Sequence, residues 1–404
     1  MARHRHHAGP PALKRVLSLS TLYPNAAQPR FGTFVARSLE ALAARGDWDV
    51  TVVNPIGVPP VRFGKYRALA EAAEDGAENG VEVQRPIFPL IPKFGGRFNP
   101  ALLARTVLPL ARRLHADRPF DLVDAQFFYP DGPAAARIAE ALDLPLSIKA
   151  RGADIHYWGA KAYGRKAMVR AAERADGLLA VCEALARDMA AIGLPRGKIA
   201  IHYTGLDRNR FRPLNHTQIR PRLGKELGIP LADDDLLLAT VGALIPRKGQ
   251  EFVIGALPEL PRARLLLVGR GEHEAKLRSQ AAGLGVADRV HFTGSLDHNI
   301  MPILLSAADL MVLPSSSEGL ANAWIEALAC GTPLVITDAG GAAEVVTSRN
   351  AGLIVRRDSA DIAAAVRDLA ADMPVREATV AMAERFSWEA NAAALAKHFD
   401  RLTV

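Results

Sequence analysis

The chain has little cysteine, with two residues, Cys182 and Cys330, among 404. That excludes a disulfide framework, and both sit in apolar contexts that read as small core positions in a reducing compartment. No uninterrupted apolar run is long enough to span a bilayer. The opening stretch, Met1-Ala-Arg-His-Arg-His-His-Ala-Gly-Pro-Pro, lacks the apolar core of a signal peptide. Residues 1–12 therefore read as a loose basic tail. Internal repeats, long low-complexity tracts and recognised nucleic-acid-binding motifs are missing as well. No Asp-x-Asp pair stands on a loop that follows a strand, since Asp233–Asp235 fall in a linker. These absences lead to the expectation of a cytoplasmic protein that binds no nucleic acid and uses no metal.

What is present is ordinary in bulk and uneven in charge. Hydrophobic residues make up 49% and charged residues 23%, as in a folded soluble chain, and the length suits two domains. The net charge is +7. Residues 1–212 hold 31 Lys and Arg against 20 Asp and Glu, whereas residues 213–404 hold 19 against 23. A basic first half suits an anionic partner such as a lipid-linked diphosphate or a phospholipid surface. Two stretches there, Val61-Arg-Phe-Gly-Lys-Tyr-Arg and Ile91-Pro-Lys-Phe-Gly-Gly-Arg-Phe, interleave aromatics with cations, which suits a membrane interface as well as it suits ordinary surface.

Short apolar runs alternate with helical stretches along the whole length. The first half places strands near Arg15–Ser20, Asp49–Asn54, Val81–Pro86, Leu122–Gln126, Leu146–Ala150, Gly177–Val181 and Ile199–Tyr203. The second places them near Leu236–Val241, Ala263–Val268, Val290–Thr293, Leu310–Leu313, Leu334–Thr337 and Gly352–Val355. Glu71–Glu78 reads as a solvated acidic surface. Runs that are apolar throughout mean strands buried on both faces, hence parallel sheets with right-handed crossovers. The count is too high for one small sheet and predicts an α/β chain of two doubly wound domains. The break is expected near Pro213 to Leu231, where the segment from Phe211 to Pro221 is polar and proline-bearing. The expected division is 13–212, 213–384 and a final helix over 385–404.

The richest stretch is Ser315-Ser-Ser-Glu-Gly-Leu-Ala-Asn-Ala-Trp-Ile-Glu-Ala-Leu-Ala-Cys-Gly-Thr-Pro. A strand runs into it, and a helix-forming run from about Ala321 to Cys330 follows Glu318-Gly319. A helix start has free N–H groups and a positive dipole end, a seat for phosphate oxygens. Glu318 lies on the loop before that seat and Glu326 inside the helix. Two carboxylates flanking an anion seat suit an extended ligand with hydroxyls at both ends and a diphosphate between.

This stretch, with the following Pro333-Leu-Val-Ile-Thr-Asp-Ala-Gly-Gly-Ala-Ala-Glu344-Val-Val, resembles the E-x7-E region of retaining nucleotide-sugar glycosyltransferases, the group 1 glycosyltransferases of GT-B architecture. The resemblance implies two Rossmann-like domains facing a central cleft, with a terminal helix that crosses back to the first. It implies that Glu326 binds ribose hydroxyls and that Glu318 lies beside the donor sugar, with Gly319, Leu320 and Ala321 at the phosphates. Val241-Gly-Ala-Leu-Ile-Pro-Arg-Lys-Gly249 resembles the family's loop whose Arg and Lys hold the donor diphosphate. Lys248 matches, Ala243 replaces the Arg, and Arg247 is expected to substitute. Fixed cations at that place stabilise a departing diphosphate without a metal. Gly242, Gly269, Gly271 and Thr293 fall in the family's nucleotide-facing loops, and the glycines allow close backbone approach to a ligand.

In the first half, Gly32 opens the helix after Ser20-Thr-Leu-Tyr-Pro-Asn-Ala-Ala-Gln-Pro-Arg-Phe, similar to the family's loop facing donor phosphate and acceptor. The family reads His-Gly-x-Asp where this chain reads Arg151-Gly-Ala-Asp154. Arg151 cannot act as a base but suits an anionic group on the sugar or acceptor. The nearby His156 is the other residue placed to stand in for the missing His. Arg151, Asp154 and Asp131 are the expected sugar or acceptor contacts. The function implied is metal-independent transfer of a sugar from a nucleotide-diphosphate sugar to a lipid-linked or polysaccharide acceptor, with no cofactor, in the cytoplasm or at the inner face of its membrane. The alternative is a degenerate nucleotide-sugar-binding scaffold without turnover, suggested by the changes at Ala243 and Arg151.

Overall fold

A computed structural model describes residues 13–61, 64–91, 95–232, 234–297 and 299–404. The expected basic tail over 1–12 lies outside them, as do residues 62–63 and 92–94 of the two aromatic-basic stretches. The strands in chain order are β1 Lys14–Leu19, β2 Trp48–Val53, β3 Ile56–Val58, β4 Gly76–Glu78, β5 Val81–Gln84, β6 Ile87–Pro89, β7 Leu122–Ala125 and β8 Leu146–Ala150. They continue as β9 Gly177–Ala180, β10 Ile199–Ile201, β11 Leu236–Val241, β12 Ala263–Val268, β13 Val290–Gly294, β14 Leu310–Leu313, β15 Leu334–Thr337 and β16 Gly352–Val355.

The chain forms two compact units. The first contains residues up to Ala180 together with Ala186–His202 and Asn391–Val404. Its main sheet has the order β10-β9-β8-β7-β1-β2-β5-β4, parallel except for β4 against β5. The second contains Val181–Leu185 and Tyr203–Ala390, with a parallel sheet ordered β13-β12-β11-β14-β15-β16. The chain passes to the second unit at Tyr203, earlier than the expected break, because Leu206 and Phe211 pack into that unit's core. Helix Trp388–Leu402 brings it back, and Phe399 meets the edge of Trp48 at 5.3 Å between ring centroids.

Every strand expected from the apolar runs is present. Both faces of the second sheet are covered, as the runs require. Leu237, Ala239, Leu266 and Val268 join one apolar cluster, while Leu238, Leu265 and Leu267 join the other. The strands that the sequence did not reveal are β3, β4 and β6, three residues each. Runs that short carry no periodicity. β4 corrects part of the acidic stretch: Gly76–Glu78 is an antiparallel edge strand, and the half-buried Glu78 pairs with Arg85.

Each sheet winds outward from a central strand in both directions. The second reverses between β11 and β14, and the first between β1 and β7. In open parallel sheets ligands settle beyond the strand carboxyl ends at such reversals. The loops there are residues 242–249 and 314–321 in the second unit, and 20–32 and 126–131 in the first.

Candidate functional site

In the second unit the loops after β11 and β14 are tied together. Ser316 N donates to Arg247 O at 2.8 Å, and Arg357 Nε donates to Pro314 O at 2.9 Å. Gly249 takes a left-handed conformation, φ 73°, and any side chain there would strike Pro314 O. This junction sets three charges against one another. Glu318 Oε1 accepts from Lys248 Nζ, and Glu318 Oε2 lies 3.3 Å from Arg247 Nη1. The Glu318 and Lys248 side chains are only 8% and 12% exposed, whereas that of Arg247 is 45% exposed. Two cations thus share one carboxylate, leaving an excess positive charge in a largely desolvated place. The aliphatic stem of Lys248 runs over Gly242, where an added Cβ would lie 3.3 Å from Cε.

The loop carrying Glu318 is fixed from its far side. Gly341 N donates to Gly319 O at 2.8 Å, and a Cβ on Gly340 would collide with Glu318 O. Leu320 is buried, and Ala321 caps helix Asn322–Ala329 with no side-chain hydrogen bond. Trp324 N donates to Ala321 O at 3.0 Å, whereas the N–H groups of Asn322 and Ala323 have no carbonyl in their own turn to reach. Glu326 sits in its middle, half-buried, and its carboxylate has no hydrogen bond or ion pair among the described residues. Burial pushes its pKa up to about 7, against the pull of the Arg210 charge.

A raised carboxyl pKa has a definite sign in stability. The folded chain holds this proton when the unfolded chain has lost it. Stability from this group is therefore complete below the unfolded value of 4.5 and is lost as pH rises to about 7. Glu326→Gln, which never ionises, is expected to be more stable than wild type by roughly 1–3 kcal/mol at pH 8. The gap should close near pH 4.5. Urea denaturation of both proteins at the two pH values checks this, and an equal gap at both would refute it.

Gly269 and Gly271 are closely approached by backbone of their own unit. A Cβ on Gly269 would strike Gly242 O, and one on Gly271 would strike Leu244 O. The backbone that approaches them closely is the neighbouring loop. Thr293 Oγ1 is engaged by Leu267 O at 3.3 Å and Gly294 O at 3.2 Å. Sequence reasoning gave no role to Glu344, which accepts from Glu183 N and from Tyr203 Oη, both at 2.8 Å. It fastens both segments that border the crossing into this unit. Its place in the motif beside Gly340 and Gly341 was the available signal.

In the first unit Gly32 is left-handed, φ 71°, and caps helix Thr33–Ala44. A Cβ there would press on Leu22 at 2.5 Å. Asp131 and Asp154, expected to contact sugar or acceptor, are fully buried and fasten loops of their own unit. Asp131 accepts from Thr21 N and Thr21 Oγ1, both at 2.8 Å, and so joins the loops after β1 and β7. Burial raises its pKa to about 7. Asp154 accepts backbone N–H groups from Phe128 at 2.8 Å, Arg151 at 3.0 Å, Gly152 at 2.8 Å and Ile155 at 3.1 Å. Arg151 is half-buried beside Gln126 and Phe34, which sequence reasoning left without a role. His156 pairs at the surface with Asp188 at 2.9 Å. Cys182 and Cys330 are both buried, and neither forms a disulfide among the described residues. No helix among the described residues is long and apolar enough to cross a membrane.

Residues 227–402 match the model of a family described as glycosyl transferases group 1, and residues 31–205 match one described as glycosyl transferase 4-like domain. The chain is 29% identical over 363 residues to TuaC of Bacillus subtilis, whose name assigns it provisionally to teichuronic acid biosynthesis as a glycosyltransferase. That match covers 87% of this chain and 88% of the relative. It is 35% identical over 211 residues to a GDP-mannose-dependent alpha-(1-6)-phosphatidylinositol monomannoside mannosyltransferase of Mycolicibacterium smegmatis, covering 48% of this chain and 54% of that one. The chain thus spans about half the length of the second relative. Among solved structures, HepE of Anabaena in complex with UDP superposes with a TM-score of 0.73 at 22% identity, over 96% of this chain and 100% of the other. Sucrose-phosphate synthase of Thermosynechococcus elongatus gives 0.71 at 20% identity, over 96% and 99%. At such identities the structural likeness shows the fold.

Proposed function

This chain belongs to the group 1 glycosyltransferases and has their GT-B fold, and from that premise we propose that it moves a sugar, with retention of configuration, from a nucleotide-diphosphate sugar to a lipid-linked or polysaccharide acceptor. The observation that carries the reading is the Lys248–Glu318–Arg247 cluster at the β11/β14 reversal, beside a free helix start and the unpaired Glu326. In this reading the diphosphate rests at the helix start, and the ribose hydroxyls donate to Glu326. Lys248 and Arg247 face the phosphate that leaves. Fixed cations in a place poor in water stabilise the charge that develops there and need no reorganisation as the bond breaks. The two side-chain cations supply that charge, so the reading involves no metal.

Glu318 holds both cations in position before the donor arrives. A carboxylate already bound by two cations is a weak nucleophile, which favours a positioning and electrostatic role. The acceptor hydroxyl then attacks the anomeric carbon from the face that the phosphate leaves. The new C–O bond forms as the sugar–phosphate bond breaks, and the hydroxyl proton passes to the departing phosphate. Proximity and charge carry the step. The first unit, with its excess of Lys and Arg, would hold the acceptor, at the inner face of the cytoplasmic membrane where that acceptor is lipid-linked.

Thermal shift with UDP, GDP, ADP and dTDP tests the donor site on the full chain. One nucleotide is expected to stabilise it, by about 2.7 kcal/mol at a hundred times its Kd. Glu326→Ala should remove most of that shift. No shift with any nucleotide would end the reading, and a shift without sugar transfer to any acceptor would favour the scaffold. Retention is checked by NMR of the anomeric proton in the product.

A further inference from the structure

Arg151 is a cation without a directly paired counter-ion among the described residues. It follows β8 directly, beyond the carboxyl end of a parallel strand. Its Nε donates to Gln126 O at 3.0 Å and its Nη2 to Gln126 Oε1 at 2.5 Å. Both acceptors are neutral. The guanidinium lies over the Phe34 ring, 5.0 Å from the centroid. Asp154, three residues on, spends its carboxylate on backbone N–H groups, that of Arg151 included, and not on the guanidinium. Among the described residues Arg151 has no ion pair. Asp154 and Asp124 are the carboxyl groups whose charge acts on it, and burial raises the pKa of both. Burial lowers that of Arg151 to about 10, which leaves it protonated at neutral pH.

The geometry of the grip decides what the free part can do. A guanidinium has five N–H donors in one plane. Gln126 holds the edge made by Nε and Nη2. Among the described residues the adjoining edge, made by Nη1 and the second N–H of Nη2, has no partner. That edge is the fork that matches two oxygens of a carboxylate or phosphate. Gln126 and Phe34 hold it in one orientation, so little entropy is lost when an anion docks. A half-buried charge with only neutral partners is itself unfavourable, and a bound anion removes that cost.

We propose that Arg151 receives an anionic group, a carboxylate or phosphate, borne by the sugar substrate. The inference rests on the glycosyltransferase reading above and narrows its substrates to acidic or phosphorylated sugars. The group belongs either to the donor sugar or to the acceptor, and the test separates them.

Binding to the full-length protein would be measured by calorimetry for matched anionic and neutral probes. The donor arm compares UDP-glucuronic acid with UDP-glucose. The acceptor arm compares D-glucuronate and D-glucose 6-phosphate with D-glucose. Wild type is expected to prefer the anionic probe in one arm by about tenfold or more. Arg151→Met, which keeps an apolar stem on Phe34, should lose that preference, and Arg151→Lys should keep part of it. A fold that merely needs Arg151 would weaken both members of a pair alike and leave their ratio unchanged. Melting curves identify a variant that fails to fold, and the other then carries the comparison. No anionic preference in either arm of wild type, or the same preference in all three proteins, would overturn the proposal. Failure of the donor reading looks different: UDP and its sugars would bind with no dependence on Glu326, while the acceptor arm would still report on Arg151.

Discussion

Lys248→Ala is expected to lower kcat by about 10²–10³-fold, with a smaller rise in the donor KM. The charge of Lys248 is fixed, 12% exposed, and held against Glu318 where a departing diphosphate would meet it. In such a place a cation does more for the transition state than for the ground state, because negative charge grows on the phosphate as the bond breaks. Its stem lies over Gly242, so the ammonium is aimed by packing. Removing it also leaves the nearly buried Glu318 with Arg247 alone, which worsens the field at the reacting carbon. Arg247→Ala should cost less, about tenfold, because a side chain 45% exposed is screened by water and salt. Lys248→Arg should recover part of the loss. Initial rates at saturating donor measure all three variants, with melting temperatures to confirm folding. Activity of Lys248→Ala within about threefold of wild type would mean that the leaving group is neutralised elsewhere, since one such donor is normally worth far more.

Most of the fold was legible because parallel strands buried on both faces leave runs with little polarity. β11, with the sequence Leu-Leu-Leu-Ala-Thr-Val, and β14, Leu-Met-Val-Leu, have no other plausible reading. β3 and β6 were not legible, because three residues pair only with each other and show no period. At the candidate site, the residues around Glu318 and Lys248 stood out as a pattern. Their ion pair did not, since it joins loops 70 positions apart whose distance is set by strand order. Gly269 and Gly271 show why a glycine in a strand-end turn is ambiguous. The missing Cβ makes room for whichever backbone comes near, and here that is the 242–244 loop. The loop bonds of Asp131 and Asp154 were not legible for a related reason. A sequence places a carboxylate on a loop after a strand, but not the N–H groups that the loop turns toward it.

Asp154→Ala is expected to destabilise the protein by about 3–5 kcal/mol, a large share of the stability of an ordinary domain. The side chain is fully buried, and its carboxylate collects the N–H groups of Phe128, Arg151, Gly152 and Ile155. Alanine would leave those donors facing a void. Each buried, unpaired N–H costs about 1–3 kcal/mol, and partial relaxation or an entering water lowers the sum. Asp154→Asn should fall between, because its carbonyl still accepts while its amide hydrogens oppose the remaining donors. The loss extends beyond stability. Asp154 joins the loop after β7, through Phe128, to the loop after β8, through Arg151. Loosening it would release the backbone that aims the Arg151 fork, so Asp154→Asn should also weaken any preference for anionic sugars. Urea midpoints of the three proteins at pH 7 test the first effect, and the matched anionic and neutral probes test the second. A midpoint for Asp154→Ala equal to that of wild type would mean that these backbone groups find other partners, and that Asp154 is not what fixes the loop.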